Sequence, residues 1–203
     1  MKKKISQATC IICALMLCGC ISLANTPNPR FYKLRSVDKS QPCQKYDIAP
    51  DVIIAVGPVS IPQYQDRPQI VTQDKDGLLE FAQFDRWGEG LNIGMSRVIT
   101  ENLVRMLPGA SIEMFPVNYA IPVKYQVIVD VVGLESELGK DAYLVAQWSI
   151  IDSKNKKMVF TKRSEFLQPI TPPDYVGLSN VLSAACVSLS GEIAEELVAL
   201  EKQ

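Results

Sequence analysis

Tyr125-Gln126-Val127-Ile128-Val129-Asp130-Val131-Val132, Ala142-Tyr143-Leu144-Val145-Ala146-Gln147-Trp148-Ser149-Ile150-Ile151 and the run from Met158 to Phe166 follow one another in the second half of the chain. In the first run Tyr125, Val127 and Val129 occupy one set of alternate positions, Gln126 and Asp130 the other. A period of two is that of a half-buried strand. Gly139-Lys140-Asp141 and the charged stretch Asp152 to Lys157 turn the chain, so the three runs read as an antiparallel meander. Beyond Thr171-Pro172-Pro173, Asp174 is suited to cap a helix. Leu178, Leu182, Cys186, Leu189, Ile193, Leu197 and Leu200 then advance in steps of three and four, the stripe of a long amphipathic helix. Ser179, Ser183, Ser190 and Glu196 lie elsewhere on its circumference.

Working outward, Leu91, Met95, Val98, Ile99, Leu103, Met106 and Leu107 recur at helical spacing, and Pro108-Gly109 ends the pattern. This predicts an amphipathic helix from about residue 88 to 107, with Arg97, Thr100, Glu101 and Arg105 on its polar face. Val52 to Val59 is a β-branched run bounded by proline, a buried strand. Gln69 to Thr72 and Leu78 to Phe81 flank Asp76-Gly77, which reads as a hairpin. Phe31 to Leu34 reads as a short first strand, and polar residues 35–50 as a loop. Strands with segregated helices predict an α+β fold: an antiparallel sheet with two amphipathic helices packed on one face.

The beginning of the chain has a different character. Met1-Lys2-Lys3-Lys4 precedes an uncharged apolar stretch, Ile5 to Leu17, shorter than the roughly 20 residues of a membrane-spanning helix. This is the pattern of a secretory signal. Its end, Leu17-Cys18-Gly19-Cys20, resembles the lipobox of bacterial lipoproteins, with Cys18 where Ala or Ser is usual. By that resemblance residues 1–19 are a signal peptide, and Cys20 is the lipidated mature N-terminus. The competing reading is cleavage without lipid near Ala24. Residue 21 is Ile, not Asp, which by the same resemblance implies release to the outer membrane. Residues 20–30 form a Pro- and Asn-rich tether, and residues 31–203 a single periplasmic domain.

The 203 residues contain no histidine and balance 21 basic against 22 acidic side chains. The first fact removes His-dependent nucleophiles, acid–base pairs and metal sites. The second argues against a nucleic-acid partner. Loss of the signal takes Lys2, Lys3 and Lys4, leaving 18 basic against 22 acidic residues, a balance of −4. Gly88-Glu89-Gly90 lacks the setting of a phosphate loop, and Gly94-Met95-Ser96 sits in a helix pattern rather than at a strand-to-helix turn. Cys10, Cys13, Cys18 and Cys20 have metal-like spacing but lie in the signal. No catalytic residue, metal or cofactor is expected.

Two stretches are more specific: Val56-Gly57-Pro58-Val59-Ser60-Ile61-Pro62-Gln63-Tyr64-Gln65-Asp66-Arg67-Pro68-Gln69-Ile70-Val71, and Phe84-Asp85-Arg86-Trp87 leading into the first helix. With Phe31 to Leu34, Trp148 and the Leu189 to Ala194 helix, the chain resembles the PqiC family of ABC-transport auxiliary lipoproteins. The resemblance implies a non-catalytic docking component of an MCE-type system, which moves lipids between the inner and outer membranes. Its partners would be an MCE-domain protein with its inner-membrane permease and ATPase, and its own state a homo-oligomer. Arg67 and Trp87 are of residue types favoured at interfaces, with packing inside the domain as the competing role. A lipid carrier with its own cavity and a stand-alone envelope assembly factor are the alternatives. Two cysteines remain for the domain, Cys43 and Cys186, and an oxidising compartment makes a bridge between them the expectation. Against it, Cys186 fits the apolar stripe as a small hydrophobe.

Cys20→Ala is expected to leave a soluble or unprocessed species that a clickable palmitate analogue no longer labels. Full labelling of that variant would place the anchor elsewhere.

Overall fold

The computed structural model of the protein describes residues 27–202 apart from 39, 41 and 119. In chain order the elements are β1 (Arg30–Tyr32), β2 (Ile53–Ser60), β3 (Gln69–Gln73), β4 (Leu79–Trp87), α1 (Leu91–Met106), β5 (Ser111–Met114), β6 (Tyr125–Ser136), β7 (Asp141–Asp152), β8 (Lys157–Pro169) and α2 (Tyr175–Glu201). The lipobox, Cys20 and the first part of the tether lie outside the described residues.

β6, β7 and β8 form the expected meander, with Val127 opposite Ile150 and Trp148 opposite Lys162. The sheet as a whole is mixed. Its order is β5-β2-β6-β7-β8, and β2 runs parallel to both neighbours, with Ile54 facing Ile112 on one side and Tyr125 on the other. A purely antiparallel sheet was the expectation, and the chain path between β2 and β5 explains the difference. After β2 the chain leaves through β3, β4 and α1, and such a crossover returns it parallel rather than antiparallel. β5, after Pro108-Gly109, has no counterpart in the sequence reading. β3 and β4 pair antiparallel as the Asp76-Gly77 hairpin predicts, and β1 joins β4 in parallel to make a second sheet.

Both helices stack on one face of the large sheet. Met95 and Ile99 of α1 and Ala185, Cys186 and Leu189 of α2 meet Val59, Val129, Val131 and Leu144 of the strands around a void of only about 10 Å³. α2 is long and apolar enough to cross a bilayer by length and composition, yet Leu178, Leu182, Leu189, Ile193 and Leu197 are all core residues. Asp174 caps it, its carboxylate accepting from the Gly177 N–H at 2.9 Å. Gly177 must be small: a Cβ there would come 1.9 Å from the Pro172 carbonyl oxygen. α1 starts at Leu91 rather than 88: β4 runs on to Trp87, and Gly90 is still extended as the N-cap.

The larger departure concerns residues 33–38. They are irregular, as expected, but they form a strap along the seam between the two helices. Ser179 donates to the Lys33 carbonyl at 3.0 Å and Arg97 to the Leu34 carbonyl at 3.1 Å. The Arg35 N–H donates to the Ser183 hydroxyl at 3.0 Å, and the Val37 N–H to Asn102 Oδ1 at 2.9 Å. Arg105 Nη1 holds the Val37 and Asp38 carbonyls at 2.7 and 2.6 Å. Asn102 also donates to Ser190 at 3.3 Å. Ser179 and Ser183 are therefore buried beneath the strap and Ser190 between the helices, rather than solvated. Leu34 is driven into the core as its apolar pin.

The strap also explains the cysteines. Both are free thiols. Cys43 continues the strap and points at the Arg105 carbonyl, 3.8 Å away. Cys186 faces the sheet from the opposite side of its helix layer, where burial pushes its thiol up to about 12. The expected Cys43–Cys186 bridge is not formed, and hydrogen bonds hold the N-terminal segment instead.

Asn102 is wholly buried, and Asn102→Ala would leave the Val37 N–H without its acceptor. A buried donor left unpaired costs about 1–3 kcal/mol, so urea unfolding should show a loss of that size with an unchanged m-value. An unaltered midpoint would mean that water replaces the amide.

Candidate docking surface

The turn between β2 and β3 is a single 3-10 turn at Gln63–Gln65, entered through Pro62. It presses Tyr64 and Gln65 onto β6, where both side chains donate to the Leu134 carbonyl, at 3.0 and 3.2 Å. Leu134 follows the irregularity between Val131 and Gly133 in the β6–β7 pairing. These side chains thus satisfy a carbonyl beside a break in the ladder. The Pro68 carbonyl accepts from the Trp87 N–H at 2.7 Å. The specific stretch 61–71 is therefore joinery between the two sheets.

Of the two candidate interface residues, Trp87 is 5% exposed and belongs to the core. Arg67 is on the surface, its guanidinium 4.5 Å above the ring of Phe81, beside the exposed Leu78 and Leu79. The structure does not bring Arg67 and Trp87 together as one patch, because they sit at different depths.

A surface that sequence reading missed lies where α1 passes over β2 and β5. Pro58, Val59, Asn92, Ile93, Ser96, Met114, Phe115 and Pro116 line an open groove of about 350 Å³. Ile93, Met114 and Phe115 are all exposed apolar side chains there. Gly57 shapes its floor. Its φ of +119° lies in the region that favours glycine, and a Cβ would stand 3.1 Å from Phe115 Cβ. Gln126 fixes the same peptide by donating to the Gly57 carbonyl at 2.8 Å. The signals were present: Ile93 falls off the core stripe of α1, and Met114-Phe115-Pro116 is an apolar run following a turn. Chemically the groove offers apolar contact. Among the described residues no group of three or more His, Cys, Asp or Glu is placed to hold a metal.

A third feature ties the chain start to the fold. Arg30 Nε lies 2.7 Å from one oxygen of Asp85, Arg30 Nη2 donates to the other at 3.0 Å, and the Tyr32 hydroxyl donates at 2.6 Å.

Compared with known proteins, residues 32–194 match the family of ABC-type transport auxiliary lipoprotein components. The chain belongs to that family. No curated protein sequence matches it. Among solved structures it is similar to an uncharacterised protein, with TM-score 0.68 and 17% identity over 84% of this chain and 99% of the other. It is also similar to a protein from Xanthomonas campestris assigned to the DUF330 family, with TM-score 0.63 and 12% identity over 85% and 95%. At such identities the likeness is one of fold. An auxiliary lipoprotein of this family works with an ABC transport system from a membrane-anchored position in the cell envelope. The family is not known as one of enzymes.

In this auxiliary lipoprotein the Asp85 cluster sits at β1, the first element of the described fold. Burial pushes the Asp85 carboxyl up, but the hydrogen bonds from Arg30 and Tyr32 together outweigh it and hold the group below the ordinary carboxylate range. Burial and the bond to Asp85 raise the Tyr32 hydroxyl to about 12. The folded state therefore binds fewer protons at Asp85 than the unfolded one, so this group stabilises the fold above the ordinary carboxylate range. That contribution is lost as pH falls through the folded value. Thermal unfolding in acid should show Asp85→Asn less stable than the parent at neutral pH, with the gap closing as pH falls below that range. A gap independent of pH would assign the loss to packing alone.

Proposed function

We propose that this auxiliary lipoprotein is a non-catalytic docking component of an MCE-type ABC system that moves lipids between the inner and outer membranes. Cleavage after residue 19 and lipidation of Cys20 would anchor it on the periplasmic face of the outer membrane. The domain of residues 31–203 follows the short tether of residues 20–30. The observation that carries the reading is the family match over residues 32–194, nearly the whole domain. Its signature residues serve to join elements: Tyr64 and Gln65 bind Leu134, and Trp87 fills the core. The groove around Ile93, Met114 and Phe115 is the surface offered to the MCE-domain protein, whose permease and ATPase complete the system. Homo-oligomers would multiply that surface.

A carrier that encloses lipid needs an apolar chamber. The space between helices and sheet, where such a chamber would sit, is only about 10 Å³. Docking is the better reading.

The test is affinity purification of the full lipidated chain from envelopes, with partners identified by mass spectrometry. MCE-domain, permease and ATPase proteins should be recovered with it, and their absence would overturn the reading. Phe115→Asp should keep the parent melting temperature and lose partner recovery roughly tenfold or more. A docked Phe side chain contributes about 1.5–3 kcal/mol, and about 1.4 kcal/mol is tenfold in affinity. Unchanged recovery would move the contact to another surface.

A further inference from the structure

β1 leaves Phe31 65% exposed, and Val176 in the first turn of α2 is 45% exposed. Phe31, Lys33, Arg35, Val176 and Asn180 surround one shallow depression of about 390 Å³. From Pro27 to Val37 the chain carries Arg30, Lys33 and Arg35 and no acidic residue, although the chain beyond the signal is acidic overall. The acids near this face are Asp85, Asp174, Glu80 and, at the end of the strap, Asp38, which accepts from the Ser40 N–H and hydroxyl. Asp85 is taken up by Arg30 and Tyr32, and Asp174 by the helix cap. Glu80 is exposed on β4.

We propose that this face rests on the phospholipid headgroups of the membrane that holds the anchor. The inference rests on lipidation of Cys20. From there to Phe31 is eleven residues, at most about 36–40 Å fully extended and nearer 20 Å as a flexible coil. The face that ends the tether is thus kept at high local concentration beside the bilayer. An exposed aromatic ring flanked by Lys and Arg is the composition that settles at an interface, ring inserted and cations at headgroup level. Anionic phosphates supply the complementary charge. The strap makes the placement definite: Lys33 and Arg35 are held by Ser179 and Ser183 through their backbone groups, so both side chains remain available. The face binds lipid as a surface and performs no chemistry on it.

Full-length lipidated protein in vesicles of phosphatidylethanolamine with some phosphatidylglycerol gives the test, with Phe31→Trp and Met158→Trp as probes. Trp87 and Trp148 are buried and provide a constant background. Met158 is exposed at the start of β8, about 36 Å along the strand from the end at Pro169 that leads to Val176. Acyl chains carrying bromine should quench the added emission of Phe31→Trp and shift it to the blue, while leaving Met158→Trp unquenched. Lys33→Glu with Arg35→Glu should abolish that loss of emission. Equal quenching of the two probes in vesicles that carry the protein would overturn the proposal. So would a blue shift without quenching, which would show the face covered by a second copy or another protein. Failure of the parent chain to float with vesicles would instead overturn the Cys20 anchor, and this placement with it.

Discussion

An irregular stretch of backbone laid over two helices must find a partner for every polar group it buries. In this protein residues 33–38 impose that demand, and much of the helix pair is composed to meet it. Arg97, Asn102 and Arg105 on α1 and Ser179 and Ser183 on α2 each hold a strap carbonyl or N–H. Arg97 is itself steadied by Glu89 at 2.6 Å. Buried without the Val37 N–H and Ser190 as partners, Asn102 would be a liability. Beneath the strap it links the chain start to both helices. The contact is long-range in sequence: Arg35 is separated from Ser183 by 148 residues. It closes the domain by tying its first segment to its last.

The same constraint explains what could be read from the sequence and what could not. The core stripe of α2 was legible because Leu182, Leu189 and Ile193 repeat with the helix. Its serines were placed only off that stripe, and composition cannot distinguish serines facing water from serines facing a strap or a second helix. Periodicity likewise identified β6, β7 and β8 as strands, since their alternation is local. The β-branched run of β2 was legible as a buried strand, but its partners are decided by the path of α1, so the parallel pairings were missed. Strand direction is a property of connections, not of alternation. The Cys43–Cys186 bridge was inferred from compartment and count. It failed on orientation, because Cys186 points at the sheet and the strap lies over the other side of its helix.

The family-specific residues have a comparable lesson. Tyr64 and Gln65 converge on one carbonyl beside the Val131–Gly133 irregularity, and the Pro68 carbonyl receives the Trp87 N–H. The first two contacts fix the β2–β3 turn to the large sheet and the third closes the small one, without offering a reactive group. Arg67, the exposed member of the stretch, stacks on Phe81, which keeps its guanidinium desolvated on one side and available on the other. Each residue of the Ile93, Met114 and Phe115 groove carried a local signal, but their meeting was not legible because they come from α1 and the end of β5. Only the crossover that makes β5 parallel brings them together.

The Asp85 cluster and the strap form one mechanical series. A displacement of the chain ahead of β1 acts first on Arg30, whose ion pair with the mostly buried Asp85 carboxylate joins β1 to β4. Tyr32 reinforces that joint from the same strand, and the Gly88 N–H takes the Tyr32 carbonyl immediately before α1 begins. Any displacement that survives these bonds reaches the strap, where it is divided between the two helices. A domain attached through one exposed loop would swivel freely about its tether. Here the attachment runs through β4, α1 and α2, three elements sharing one core, so β1 is fixed relative to the whole fold. That rigidity gives the groove of Ile93, Met114 and Phe115, which α1 and β5 build, a set place relative to the first strand.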